Sequence, residues 1–269
     1  MTYVSNMAWR IGEIINIYEQ LDWCYEHGLH AVSFHAHSGY PSEWEGAPLL
    51  DMDDSALDKL KRSLRRFENI EVHMPFKAIL DPFGEGCVEE IVQIAEKAEA
   101  VGVHIATIHS KQALPDQPAY DTWRRQIERL SKLSRSSIRL CLELTAGFEV
   151  LDTVDAPNVG FTLDIGHMVQ PMDLWSDHKM TVPLSRYASW DALITSIGPR
   201  LWHSHLHDYN GELDHIPLGH GEIDYKAVFD AFRKIGYAGM YCLELNPNRM
   251  VPEDIVSSAA MIREATGAL

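Results

Sequence analysis

Eight short runs rich in aliphatic and β-branched residues recur along the chain, and the intervals between them carry helical periodicity. That alternation is the strongest constraint on what the chain can fold into. Residues 1–10 mix β-branched and aromatic side chains, and the apolar positions Ile14, Ile17, Tyr18, Leu21 and Cys24 or Tyr25 then follow a helical spacing that stops at Gly28. Further strands are predicted over 31–37, 69–76, 103–109, 138–144, 159–164, 201–206 and 240–245. Helices are predicted over 53–67, 89–100, 122–134, 190–197, 225–236 and 253–265, with a short helical segment in 148–154. Asp224 is placed to cap the helix that follows it. Strands alternating with helices imply a parallel sheet with right-handed crossovers. The expectation is an α/β fold in a single domain over residues 1–269, a (β/α)8 TIM barrel of eight parallel strands inside a ring of helices. A doubly wound open sheet is the alternative, but no Gly-x-Gly-x-x-Gly follows the first strand and no linker composition interrupts the chain. Residues 168–189 are too long for an ordinary connection and are expected to form a lid or binding insertion.

The formal charge of -16 over 269 residues argues against a broad footprint on nucleic acid, which needs a basic surface. No apolar run approaches the length of a membrane-spanning helix, and the opening MTYVSNMAWR has no charged segment followed by an apolar core. The expected location is the cytoplasm. Cys24, Cys87, Cys141 and Cys242 form no CxxC pair and read as reduced, small apolar residues with little functional content. Many barrels assemble, so a homo-oligomer is admitted, although no surface stripe singles out an interface.

The run LWHSHLHDYNGELDHIPLGHG, residues 201–221, holds five histidines and two aspartates. If 201–206 is a strand, His203, His205 and His207 share one face while Trp202, Ser204 and Leu206 share the other. In a barrel of this kind the chemistry sits at the C-terminal ends of the strands. The last inward polar residue of six consecutive strands is then His73, His109, Glu143, Asp164, His205 and Glu244. A glutamate in a strand otherwise made of Cys and Leu carries a desolvation cost that a cation would offset. The tetrapeptide Cys-Leu-Glu-Leu occurs twice, at 141–144 and 242–245, three strands apart, with Cys and Glu on the inward face each time.

These motifs, LELTAG around Glu143, LDIGH at 163–167, HLHD at 205–208, HIPLGHG at 215–221 and LEL at Glu244, resemble the xylose-isomerase-like TIM-barrel superfamily over essentially the whole chain. That group includes sugar and sugar-phosphate isomerases and epimerases, inosose and hydroxypyruvate isomerases, dehydroshikimate dehydratases and endonuclease IV. The resemblance implies one divalent metal held by Glu143, Asp164, His205 and Glu244, with His167 beside it. The implied reaction is isomerisation or epimerisation of a small sugar or related polyhydroxy carbonyl compound through a metal-stabilised enediolate. Glu143 and Glu244 are the implied acid and base, and His167 joins them as a catalytic candidate. An oxygen-rich ligand set suits Mn²⁺, Mg²⁺ or Co²⁺, and a histidine-rich one Zn²⁺. A dehydratase would use the same parts. The rival carry-over, a zinc-cluster phosphodiesterase like endonuclease IV, adds His73, His109, His167 and His215 as ligands. The aspartate expected two positions before the last histidine is replaced by Leu213, with Asp214 next to His215.

Around this group Trp9, His35 and His37 are candidate substrate-binding residues, joined by Tyr40 and Trp44. From the insertion, Lys179 and Arg186 are candidates for pairing with a phosphate or carboxylate.

Overall fold

The computed structural model describes residues 2–173 and 180–269. Eight strands, β1 (Tyr3–Ala8), β2 (Ala31–His35), β3 (Asn69–His73), β4 (Ile105–His109), β5 (Arg139–Glu143), β6 (Val159–Asp164), β7 (Leu201–Leu206) and β8 (Met240–Leu243), close into one barrel in sequence order. Every neighbouring pair is parallel, and β8 returns to β1 in the register Tyr3↔Met240 to Asn6↔Leu243. Around the barrel lie α1 (Ile17–Glu26), α2 (Asp54–Leu64), α3 (Val88–Ala100), α4 (Ala119–Leu133), α5 (Trp190–Ile197), α6 (Tyr225–Lys234) and α7 (Pro252–Thr266). A 3₁₀ turn, Phe148–Thr153, stands where the helix after β5 would be. The (β/α)8 expectation holds, and the elements fall within a few residues of their predicted bounds. Asp224 accepts from the Ala227 amide at 3.0 Å and caps α6 as its position implied. Among the described residues no helix is long and apolar enough to cross a membrane.

Alternation along each strand divides the interior into two compartments. Outward side chains such as Phe34, Val72, Ile108, Leu142, Leu163 and Leu243 join Leu21, Leu60, Ile94, Trp123, Ile127, Phe229 and Ile255 of the helices in one continuous apolar core. Inward side chains fill the lumen. At its floor Ala31, Ile105, Cys141 and Met240 cluster with Tyr3 and Trp202. Above them stands a polar ring of Ser5, Ser33, Glu71, Thr107, Thr162, His203 and Cys242, all fully buried. The paired hydroxyls Ser5–Ser33 at 3.1 Å and Thr107–Thr162 at 2.9 Å stitch this ring together.

The simple alternation expected of β7 fails at one residue. A register shift between Leu201 and His203 sends Trp202 to the floor of the lumen, so it does not share the outward face with Ser204 and Leu206. Gly160 on β6 makes this geometry feasible, because a side chain there would overlap the Trp202 ring. Two short ribbons decorate the mouth. Gly39–Tyr40 pairs with Trp44–Glu45, and Met172–Asp173 pairs with Met180–Thr181 within the expected insertion. Lys179 lies outside the described residues.

Candidate active site

The C-terminal ends of the strands deliver three carboxylates and a ring of imidazoles to one place. Glu143 ends β5, Asp164 ends β6, His205 sits near the end of β7, and Glu244 follows β8 directly. Donor atoms of Glu143, Asp164 and His205 all lie within 4.8 Å of one another, and His205 Nδ1 is 3.0 Å from Glu244 Oε2. Around Glu143 the imidazoles of His167, His109, His73 and His205 stand at 3.2, 3.4, 3.5 and 3.6 Å. All six strand-end residues singled out from the sequence therefore meet.

Electrostatics follow from this crowding. Burial by itself would raise the Glu143 and Glu244 pKa values. The facing imidazoles, His109, His167 and His73 for Glu143 and His205 and His215 for Glu244, outweigh it and hold both carboxyls well below the ordinary range. Conversely, burial would lower the pKa of His167 and His205, and the neighbouring carboxylates push each up to about 10. Three buried carboxylates demand positive charge. Protons on the histidines supply it, and a divalent cation would supply the same charge in the same place. The donor set fits such an ion. Glu143 Oε2 and both ring nitrogens of His205 are buried without an aligned hydrogen-bond partner, so a carboxylate oxygen and, once its proton has left, one imidazole nitrogen are free to turn to an ion.

Asp164 is held more firmly than the sequence reveals. Its Oδ1 accepts from the His167 amide at 2.8 Å and lies 3.0 Å from His207 Nε2. The other nitrogen of His207 accepts from the His215 amide at 2.9 Å, so the His207 proton resides on Nε2 and is donated to Asp164. Burial lowers the His207 pKa, in keeping with this neutral form. His207 was assigned no role at the sequence level beyond sharing a strand face. Its signal lay in the glycine of LDIGH, since a side chain at Gly166 would overlap the His207 ring.

His215 reaches the group from the loop after β7. It stacks on His207 with ring centroids 3.8 Å apart, and its Nε2 is 4.0 Å from Glu244 Oε2. Its backbone is left-handed, with φ 49°. Asp214 does not swing into the mouth as a ligand. Arg249 binds it, and its carboxylate lies 3.3 Å from His215 Nδ1, which leaves Nε2 to face the centre. Leu213, at the position where a ligating aspartate would stand, is 40% exposed. The loop itself is organised by Asp208, which is fully buried and accepts four backbone amides, from Tyr209, Gly219, Gly221 and Ile223 at 2.8 to 3.1 Å.

An aromatic wall surrounds the mouth. His35 lies 4.7 Å from Trp44 and 5.5 Å from Phe76, His37 lies 5.2 Å from Phe76, and Trp9 meets His215 edge-on at 6.0 Å. Trp9, His35 and His37 are thus brought together as expected. Phe76, 43% exposed and stacked over His109 at 5.7 Å, was missed because the predicted strand 69–76 ran through it, whereas β3 ends at His73 and leaves Phe76 in the loop beyond. Beside it a cavity of about 450 Å³ is lined by His37, Tyr40, Phe76 and Lys77 among others. Arg186 is exposed on the 3₁₀ turn Pro183–Arg186, where its charge acts on Tyr187.

Comparison with known proteins places this geometry. The family model for the xylose isomerase-like TIM barrel matches residues 21–265. The chain belongs to that family. A curated relative, the "Uncharacterized protein MJ1311" of Methanocaldococcus jannaschii, is 29% identical over 117 residues, 43% of this chain, and the match spans about a third (34%) of that protein's length. Among solved structures, a D-psicose 3-epimerase determined with D-fructose superposes with a TM-score of 0.72 at 15% identity, covering 99% of this chain and 100% of that one. The D-psicose 3-epimerase of Clostridium cellulolyticum H10, determined with D-tagatose, gives 0.69 at 13% identity and 97% coverage of both chains. The IOLI protein, described with a bound zinc atom, gives 0.69 at 17% identity and 98% coverage of both. At these identities the likeness to the solved structures establishes a shared xylose isomerase-like fold.

Proposed function

We propose that this xylose isomerase-like barrel is a divalent-metal-dependent isomerase or epimerase of a small sugar or related polyhydroxy carbonyl compound. The observation that carries the reading is the pair Glu143 and Glu244, delivered by strands three apart to one group, their carboxylates 3.6 and 3.0 Å from His205 Nδ1, with Asp164 beside them. Those four residues would hold the ion, which when bound supplies Lewis acidity that polarises a carbonyl oxygen. Proton transfer belongs to the protein. One glutamate accepts the proton from the carbon beside the carbonyl, and the other returns one. His167, with Nδ1 3.2 Å from Glu143 Oε1, positions that carboxylate and holds a proton next to it. Trp9 and Phe76 offer flat faces to the apolar side of a sugar, and the deep placement of the glutamates keeps bulk water from the reacting carbon.

Hydrogen exchange tests this directly. The protein, loaded with Mn²⁺, Co²⁺ or Mg²⁺ and incubated with ketohexoses, inososes and hydroxy-keto acids in deuterium oxide, is expected to incorporate deuterium at the carbon next to the carbonyl of one class. No incorporation into any of them, from a protein shown to bind metal, would remove the isomerase reading.

A second reading, hydrolysis of a phosphodiester at a metal cluster, draws on the neighbouring donor groups His73–His109–Glu143 and Asp164–His167–His207–His215. The charge of -16 and the engagement of Asp214 by Arg249 weigh against it. Its signature would be hydrolysis of bis(p-nitrophenyl) phosphate by the zinc-loaded protein, lost in His109→Ala.

Because His207 fixes Asp164, displacing its ring should loosen the metal without touching a ligand. Gly166→Ala is expected to weaken metal binding about 10–100-fold. Overpacking should also lower stability by roughly 1–3 kcal/mol. Calorimetric titration and urea unfolding read the two effects separately.

A further inference from the structure

Deeper in the lumen, beneath the mouth group, Glu71 of β3, His203 of β7 and Cys242 of β8 come together with His205 so that one donor atom of each lies within 4.8 Å of the others. All four are fully buried. Both carboxylate oxygens of Glu71 and both ring nitrogens of His203 are buried without a hydrogen-bond partner. The hydroxyls beside Glu71, those of Thr107 and Ser33, relieve its carboxylate in part and His203 not at all. Ser33 is paired with Ser5 and Thr107 with Thr162, which leaves at most one spare O–H in each pair for Glu71. The Cys242 thiol lies 3.6 Å from the Leu243 carbonyl oxygen, beside the Ser33 and Ser5 hydroxyls. A polar ring in the centre of a barrel, with an unpartnered imidazole and a carboxylate that has only shared hydroxyls to draw on, is costly unless something binds there.

We propose that Glu71, His203 and Cys242 form a second, interior site for a thiophilic divalent cation, with zinc as the best match. Nothing in the isomerase reading requires this site, and it stands independently of that reaction. His205 remains with the mouth group, to which its Nδ1 is committed at 3.0 Å from Glu244. It forms the partition between the two ions. Zinc accepts S, N and O donors and is often held by three protein ligands with a fourth position open, whereas magnesium and manganese favour oxygen donors. Charge closes as well. A carboxylate and a thiolate balance the two positive charges, neutral His203 adds none, and the protons of Cys242 and of any protonated Glu71 leave to solvent on binding. The duplicated Cys-Leu-Glu-Leu segments then diverge in use. Cys242 faces Glu71 and His203, while Cys141 packs in the apolar floor.

Cobalt substitution tests the site without reference to any activity. Metal-free protein reloaded with Co²⁺ is expected to show a near-ultraviolet thiolate-to-cobalt charge-transfer band, which an all-nitrogen-and-oxygen mouth site cannot give. That band should vanish in Cys242→Ser and persist in Glu244→Gln. Zinc measured by inductively coupled plasma mass spectrometry should fall by one equivalent per chain in Cys242→Ser and in Glu71→Gln relative to the wild type. Absence of the band in the wild type, or its survival in Cys242→Ser, overturns the proposal, and the wild-type spectrum decides even if a variant fails to fold. Loss of metal from the mouth with the band intact would instead count against the isomerase site alone.

Discussion

Replacing Glu244 by glutamine is expected to slow solvent-hydrogen exchange at the substrate carbon by on the order of 10²–10⁴-fold, the range associated with loss of a positioned acid or base. The substitution conserves volume and leaves an oxygen that can still face the ion, so the proton-carrying capacity is what disappears. Glu244 is 6% exposed and its carboxylate is 3.0 Å from His205 Nδ1, so no water-borne base readily takes its place. Metal content measured on the same sample separates the two roles of the residue. Exchange lost with metal retained identifies the proton carrier, and exchange lost together with metal identifies mainly a ligand. Exchange intact in the variant would show that the two-glutamate scheme is wrong.

The second large effect concerns the loop that presents His215. Asp208→Ala removes the acceptor for four backbone amides at once, and the side chain is fully buried. Stranding several buried donors is expected to lower stability by about 3–5 kcal/mol. The melting temperature should fall by on the order of 10 °C. Asp208→Asn keeps the shape and one carboxamide oxygen. Since Oδ1 serves Tyr209 and Ile223 while Oδ2 serves Gly219 and Gly221, it should lose about half as much. Thermal melts of the two variants check the ordering. An alanine variant as stable as the wild type would mean that the loop holds itself without Asp208.

The architecture was legible in the sequence because burial on both faces gives parallel strands their continuous apolar runs, and the helices between them keep a separate period. The six strand-end residues were legible for a related reason. Once the barrel is assumed, period-two alternation leaves each strand a single last inward polar position. What was not legible depends on contacts between segments far apart in the chain. The partnership of His207 with Asp164 joins positions 43 residues apart and shows in the sequence only as a glycine. Trp202 was misassigned because a bulge resets alternation, and nothing in LWHSH announces it. Phe76 was drawn into a strand that in fact ends at His73, and the 39–45 ribbon belongs to a loop, where periodicity gives no direction. Cys242 was read as a plain apolar residue because the groups facing it, Glu71 and His203, come from other strands.

The division between an apolar layer outside the strands and a polar lumen inside them bears on how such a chain can change over generations. Substitutions in the outer layer act on folding free energy and leave the mouth chemistry alone, while substitutions in the upper lumen and its loops act on chemistry at modest cost to the helical shell. A lineage can therefore bank stability in one compartment and spend it in the other. Selection for a new substrate would draw its first variants from Trp9, His37, Tyr40 and Phe76 at the mouth, with the strand-borne carboxylates kept in place beneath them.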